Sequence, residues 1–171
     1  KNNRIVPIFA GAAQTGLGLT ALLRFITEIL PSPAGCLERA VKGEEECTVK
    51  IDPEPAFSGF IVKTANDQFS GRLSYIKVIT GTLVSDAEVY NINEQKKERV
   101  GKLYRAAGKK LTEVKELVAG DVGVAVKLAA AKTNDTLAAS QDCPPFVKLR
   151  NPDPIYSIAV AAVDKKNDDK L

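Results

Sequence analysis

GTLVSDAEVYNINEQKKERVGKLY, residues 81–104, decides the fold. Two runs rich in β-branched and aromatic residues flank a polar, basic tip, EQKKER, at residues 94–99. That pattern predicts a hairpin. Its tip is either a solvated turn or a surface facing a polyanion. Stretches of the same kind lie on both sides: FSGFIVKTA, GRLSYIKVITGTL, AEVYNIN, ERVGKLYRA and DVGVAVKL. Turn signals separate them at Asn66-Asp67, Gly81, Ser85-Asp86, Gly108 and Gly120-Asp121. In residues 122–128 alternation places Val122, Val124, Val126 and Leu128 on one face and Gly123, Ala125 and Lys127 on the other. Val100 and Leu103 have opposite parity, which predicts a bulge at Gly101. Five or six short strands with no helix between them predict a small closed antiparallel β-barrel over residues 55–141. Closure would also remove free strand edges.

The flanks read differently. Residues 4–9 form a short apolar run that predicts a buried strand, ending at Gly11. Leu19, Leu22, Leu23, Ile26 and Ile29 then recur at helical spacing, and Pro31 stops the helix. One strand and one helix make no core, so residues 1–33 read as the end of a larger α/β domain. Residues 34–54, with three basic and six acidic side chains between 38 and 54, read as a linker of which part could pair as a strand. Residues 142–171 read as the start of a further domain, with a strand over 155–163 and a helix opening at KKNDDKL.

Composition narrows the function. Hydrophobic residues are 44% of the 171-residue chain and charged residues 26%, as in a soluble globular protein. The three cysteines, Cys36, Cys47 and Cys143, have no C-x-x-C spacing, and the chain has no histidine. They read as reduced thiols of a cytoplasmic protein, with no metal site. No apolar run reaches membrane-spanning length. The absence of histidine removes Ser-His-Asp and Cys-His chemistry. No G-x-x-x-x-G-K-[ST] cradles a triphosphate. The segment itself is therefore expected to have no catalytic residues. The net charge of +3 is small, but residues 72–110 carry nine Lys and Arg against Asp86, Glu88, Glu94 and Glu98, a local net of +5.

In order and wording these pieces resemble translational GTPases, most closely elongation factor G and its paralogues. VPIFAGAAQTGLGLTALLRFITEILPSP is similar to the end of that family's GTPase domain. FSGFIVKTANDQFSGRLSYIKVITGTL and VYNINEQKKERVGKLYR resemble the opening of its second, β-barrel domain, and VKELVAGDVGVAVKL with NDTLA the close of it. PDPIYSIAV resembles the start of the third domain.

The resemblance implies a non-catalytic part of a ribosomal GTPase whose parent binds GTP and Mg2+. It implies a barrel that rests on small-subunit ribosomal RNA and couples the GTPase domain to later domains during translocation, with no membrane or DNA partner. It puts a remnant of the guanine-contact loop at Gly11, Ala12 and Ala13, with Ala12 in place of a bracing hydroxyl residue. RNA contacts are expected among Arg72, Lys77, Lys96, Lys97 and Arg99. A ribosomal protection or release-factor GTPase, or a stand-alone β-barrel interaction module, are the alternatives; two half-domain flanks argue against the last.

Overall fold

A computed structural model describes residues 6–67, 71–108, 110–150, 152–153 and 155–159. The fold is mainly β with one helix, α1 (Leu19–Ile29). The apolar period predicted that helix. It starts after Gly18, which has φ 80° and supplies no side-chain cap, and it ends where Leu30 turns extended ahead of Pro31. No residue of α1 is buried. Residues 6–9 form no strand, and Val6 and Ile8 are 82% and 92% exposed. The expected buried strand fails on its described residues because no neighbouring strand pairs with it. Phe9 packs on the helix, edge-on to Phe25 with ring centroids 5.1 Å apart.

The stretch read as a linker is a hairpin of β1 (Leu37–Lys42) and β2 (Glu45–Lys50), with Lys42 opposite Glu45. Its acidic run lies outward and in the turn, while Ala40 is fully buried and Cys47 and Val49 pack inward. The sheet strands follow: β3 (Ser58–Asp67), β4 (Gly71–Thr80), β5 (Thr82–Val84), β6 (Glu88–Asn91), β7 (Lys96–Arg99), β8 (Leu103–Ala107), β9 (Lys110–Val114), β10 (Glu116–Val118), β11 (Val122–Val126) and β12 (Thr136–Ala138). Eight of them form one antiparallel sheet in the order β7-β6-β12-β3-β4-β11-β8-β9, and β5 pairs with β10. Ten strands stand where five or six were expected, because short turns divide the longer runs.

The sheet is packed on both faces. Ile61, Ile76, Val78, Leu83, Val100, Leu103 and Leu117 belong to the main cluster. Ile79 and Phe60 join Ala40, Ile51 and Phe146 under the hairpin, and Leu73, Val124 and Val126 form a third group with Tyr75 and Tyr104. In β11 it is the small face, Ala125 with Gly123, that turns to the main cluster. A Cβ on Gly123 would lie 2.3 Å from a methyl of Leu117, so any side chain there must displace Leu117. Alternation predicted that Leu128 shares the face of Val124 and Val126, and it does not. Lys127 has φ 65°, which breaks the period and returns Leu128 to the main cluster.

Gly101 lies at a corner between β7 and β8 rather than in a bulged strand. Its N–H donates to Val126 O at 3.0 Å, and its carbonyl accepts from Asp86 N at 3.3 Å. The corner brings Val100 and Leu103, of opposite parity, into one cluster.

Beyond β12, residues 145–149 form a strap back across the molecule. Val41 N donates to Pro145 O at 2.8 Å and Val147 N to Arg39 O at 2.9 Å. Phe146 N donates to Thr136 Oγ1 at 2.9 Å, and the Asn134 amide pairs with both the N–H and the carbonyl of Leu149. Residues 155–159 form no strand, and Ile155 is 99% exposed. The rest of the strand expected over 155–163 and the helix expected at KKNDDKL lie outside the described residues.

Candidate nucleic-acid interface

The basic tip is a real hairpin: β6 and β7 pair from Glu88↔Arg99 to Asn91↔Lys96. Alternation on β7 sends Glu98 inward and Lys97 and Arg99 outward. Glu98 is 8% exposed and held at both oxygens, one accepting from Asn91 Nδ2 at 3.3 Å and the other from Ala130 N at 2.9 Å. Asn91, fully buried, also donates to Asp135 Oδ2 at 2.9 Å. Its own carbonyl oxygen accepts from Asn93 N and Glu94 N at 3.1 Å each, which closes the turn between the strands. One amide therefore fixes the inner side of the hairpin. The sequence read NIN as the end of a strand run, and the acceptors from distant residues were invisible in it.

The five predicted RNA-contact residues separate into two groups. Arg72 is committed inside the molecule: its guanidinium donates to Ala129 O at 3.1 Å and to Ala131 O. Lys77 is two-thirds covered and paired with Glu38 of β1, so it ties the leading hairpin to β4. Lys96, Lys97 and Arg99 share the exposed tip. Lys97 pairs with Glu88 at 2.6 Å and Arg99 with Asp86 at 3.8 Å. The bond to Lys97, and then its charge, lowers the Glu88 pKa, and Glu88 raises that of Lys97 in the same way. Lys96 makes no salt bridge among the described residues; after the bond to Lys132 and its charge, the Lys96 charge is a lesser cause of the lowered Glu94 pKa.

Sequence reading missed the cations that the corner at Gly101 gathers. Lys102 follows it and pairs with Glu113 at 2.8 Å, which raises its pKa. Lys127, exposed and in the left-handed region, follows Val126, the residue hydrogen-bonded to Gly101. Lys115 follows β9, with its carbonyl bonded to Ser85 N. The opposite parity of Val100 and Leu103 marked the corner at Gly101, but nothing in the sequence tied Lys115 or Lys127 to it. Of the tyrosines, Tyr75 and Tyr104 pack against the third cluster, while Tyr90 lines a cavity of about 320 Å³ with Glu88 and Lys97.

The loop at Gly11, Ala12 and Ala13 turns sharply into α1. Ala12 N–H is already donated to Leu17 O at 3.0 Å. Thr15 Oγ1 donates to Ala12 O at 3.4 Å, so a hydroxyl braces this loop from three positions on. Ala13 N–H has no protein acceptor among the described residues. Of these two N–H groups, that of Ala12 is taken within the loop and that of Ala13 is open among the described residues. No group of three or more metal-ligating side chains occurs among the described residues. No described helix is long and apolar enough to cross a membrane.

Residues 56–140, the ten-stranded region with the basic tip, match the family model of elongation factor G domain 2. The chain belongs to the elongation factor G family. It is 36% identical over 169 residues to elongation factor G 2 of Desulfotalea psychrophila, a match that covers 98% of this chain. The chain spans about a quarter of that relative's length, 24%. The leading hairpin β1–β2 and the trailing strap lie outside the residues that match the domain model, so this elongation factor G domain is held between two elements of the flanks.

Proposed function

We propose that this chain works as the middle of a ribosomal translocation GTPase. In this reading residues 1–33 close the GTPase domain, 34–54 connect, 55–141 form a closed β-barrel second domain, and 142–171 open the third. Barrel closure is supported by the corner at Gly101. There the β6–β7 hairpin, through Asp86 and Ala87, and the end of β11, through Val126, meet the same short segment, residues 100–102. The segment carries no catalytic group of its own. GTP and Mg2+ bind the GTPase domain of the intact cytoplasmic factor, where Ala13 N–H adds one donor toward the guanine.

The observation that carries the reading is the family match over residues 56–140, joined to a rigid hairpin whose alternation turns Lys97 and Arg99 outward. A sheet of this kind recognises a folded RNA by position and charge, since phosphate contacts need no base readout. Its contact set on small-subunit ribosomal RNA is Lys96, Lys97 and Arg99. Arg72 and Lys77 are assigned to the fold instead. Replacing Lys96, Lys97 and Arg99 by alanine in the full-length factor should weaken binding to small ribosomal subunits. The slope of log K against log salt should flatten by about 1 for each phosphate that is no longer neutralised. Equal affinity and slope across several salt concentrations would overturn the assignment.

A further inference from the structure

The leading hairpin and the trailing strap are zipped together. Ala40 bridges Phe146, and the backbone bonds of Val41 and Val147 run on either side of that bridge. Two of the three cysteines stand at this joint. Cys47 lies directly across the hairpin from Ala40 and packs inward against the cluster of Ala40, Ile51, Phe60, Ile79 and Phe146. Cys143 sits three residues before Phe146, in a cavity of about 410 Å³ that it shares with Ser58, Thr80 and Val49. Val49 is two positions on from Cys47 and packs against the same cluster. Both thiols therefore point to the inner side of the joint, one from each bank. Burial pushes the Cys143 thiol up, a bond to Ser58 pulls it partly back, and the nearby Cys47 adds to the rise. Cys36, the third, is exposed and donates to Ser32 O at 3.5 Å.

We propose that Cys47 and Cys143 are an oxidisable pair, closed by hydrogen peroxide into a disulfide that locks the hairpin to the strap. The atoms balance without another reactant. Cys47 attacks a peroxide oxygen, the O–O bond breaks, and water leaves with the thiol proton, giving a sulfenic acid. The Cys143 sulfur then displaces the hydroxyl, which departs as a second water with the Cys143 proton. Each sulfur loses one electron and the peroxide gains two. Cys143, which lines the cavity, is the resolving group and gives up its proton as its sulfur attacks. Hairpin and strap bracket the elongation factor G domain, so the bond would fix the direction in which the chain leaves that domain relative to the direction in which it arrives.

The test treats the full chain with hydrogen peroxide, blocks free thiols, and maps linkages by mass spectrometry of a non-reducing digest. The expected product is a monomer two hydrogens lighter, with a Cys47–Cys143 linked peptide, unchanged far-ultraviolet circular dichroism, and reversal by dithiothreitol. Cys143→Ser should abolish the link and leave a Cys47 sulfenic acid that dimedone traps. Amide exchange at Val41 and Val147 should slow about tenfold or more in the oxidised chain, because opening the joint then requires opening the bond. Free Cys47 and Cys143 after oxidation, links dominated by Cys36, or scrambled links with collapse of the circular dichroism would each overturn the proposal. A correct link with unchanged exchange at Val41 and Val147 would overturn the lock.

Discussion

Replacing Asn91 by alanine should cost this chain more than any surface change in the basic tip. Asn91 is fully buried, and its side chain makes four hydrogen bonds. Two go from Nδ2 to the carboxylates of Glu98 and Asp135, which are themselves 8% and 5% exposed. Alanine removes the donor that stands between two buried acids. Each carboxylate keeps one backbone donor, Ala130 N for Glu98 and Lys132 N for Asp135. The loss is therefore smaller than for an uncompensated charge. Two bonds to charged groups at about 1.5–3 kcal/mol and two neutral ones at about 1 kcal/mol each set an upper bound. The turn can rehydrate its own N–H groups, so about 3–5 kcal/mol is expected, a large share of a typical domain's stability.

Asn91→Asp sharpens the reasoning, because it keeps the shape and adds a third acid. Its folded-state pKa must rise, since two carboxylates and burial both oppose its charge. A raised acid binds more protons in the folded state than in the unfolded one. Its stability deficit therefore grows as pH rises above the ordinary aspartate range and shrinks as pH falls. Urea titrations followed by circular dichroism at pH 7.5 and pH 5 measure both variants against the parent. A loss below about 1 kcal/mol for Asn91→Ala, or no relative recovery of Asn91→Asp at the lower pH, would refute the account of the network.

Two further outcomes follow from the geometry. Arg72→Ala should destabilise the fold by about 1.5–3 kcal/mol, by freeing the carbonyls of Ala129 and Ala131, without changing the salt slope of ribosome binding. Arg72→Lys should recover little, since an ammonium cannot span both acceptors; thermal melts and salt titrations separate the two effects. Gly123→Ala should cost about 1–3 kcal/mol by driving a methyl into Leu117, and Leu117→Val in the same chain should return part of the loss in a double-mutant cycle.

What was legible in the sequence is what is local. The β6–β7 hairpin could be read because its strands, its turn and its cations lie within a few residues of each other. Helix α1 could be read because its apolar spacing and Pro31 are contiguous. What could not be read depended on distant partners. Arg72 and Lys77 look like surface cations in a basic stretch, yet their acceptors lie 57 and 59 residues on for Arg72 and 39 residues back for Lys77. The run of acids at residues 44–46 hid a hairpin whose inner face is only Ala40, Cys47 and Val49. Residues 6–9 have strand composition and no neighbour to pair with, and composition alone cannot supply the ladder. In β11 the larger side chains were the conspicuous ones, but a crowded interior selects the small ones, and the left-handed Lys127 changes the count.

The same logic explains why an internal acid decides an external surface. On a strand of period two, anchoring one residue inward fixes its neighbours outward. Glu98 is that anchor for β7, held through Asn91 and Ala130. Lys97 and Arg99 are displayed because Glu98 is held. Their acidic neighbours Glu88 and Asp86 then brace the cations at the surface, and such exposed pairs give way readily to a phosphate, because exposed ion pairs are worth little in water. The charge pattern is thus built from the inside: a buried polar knot sets the register, and the register sets which charges the surface displays.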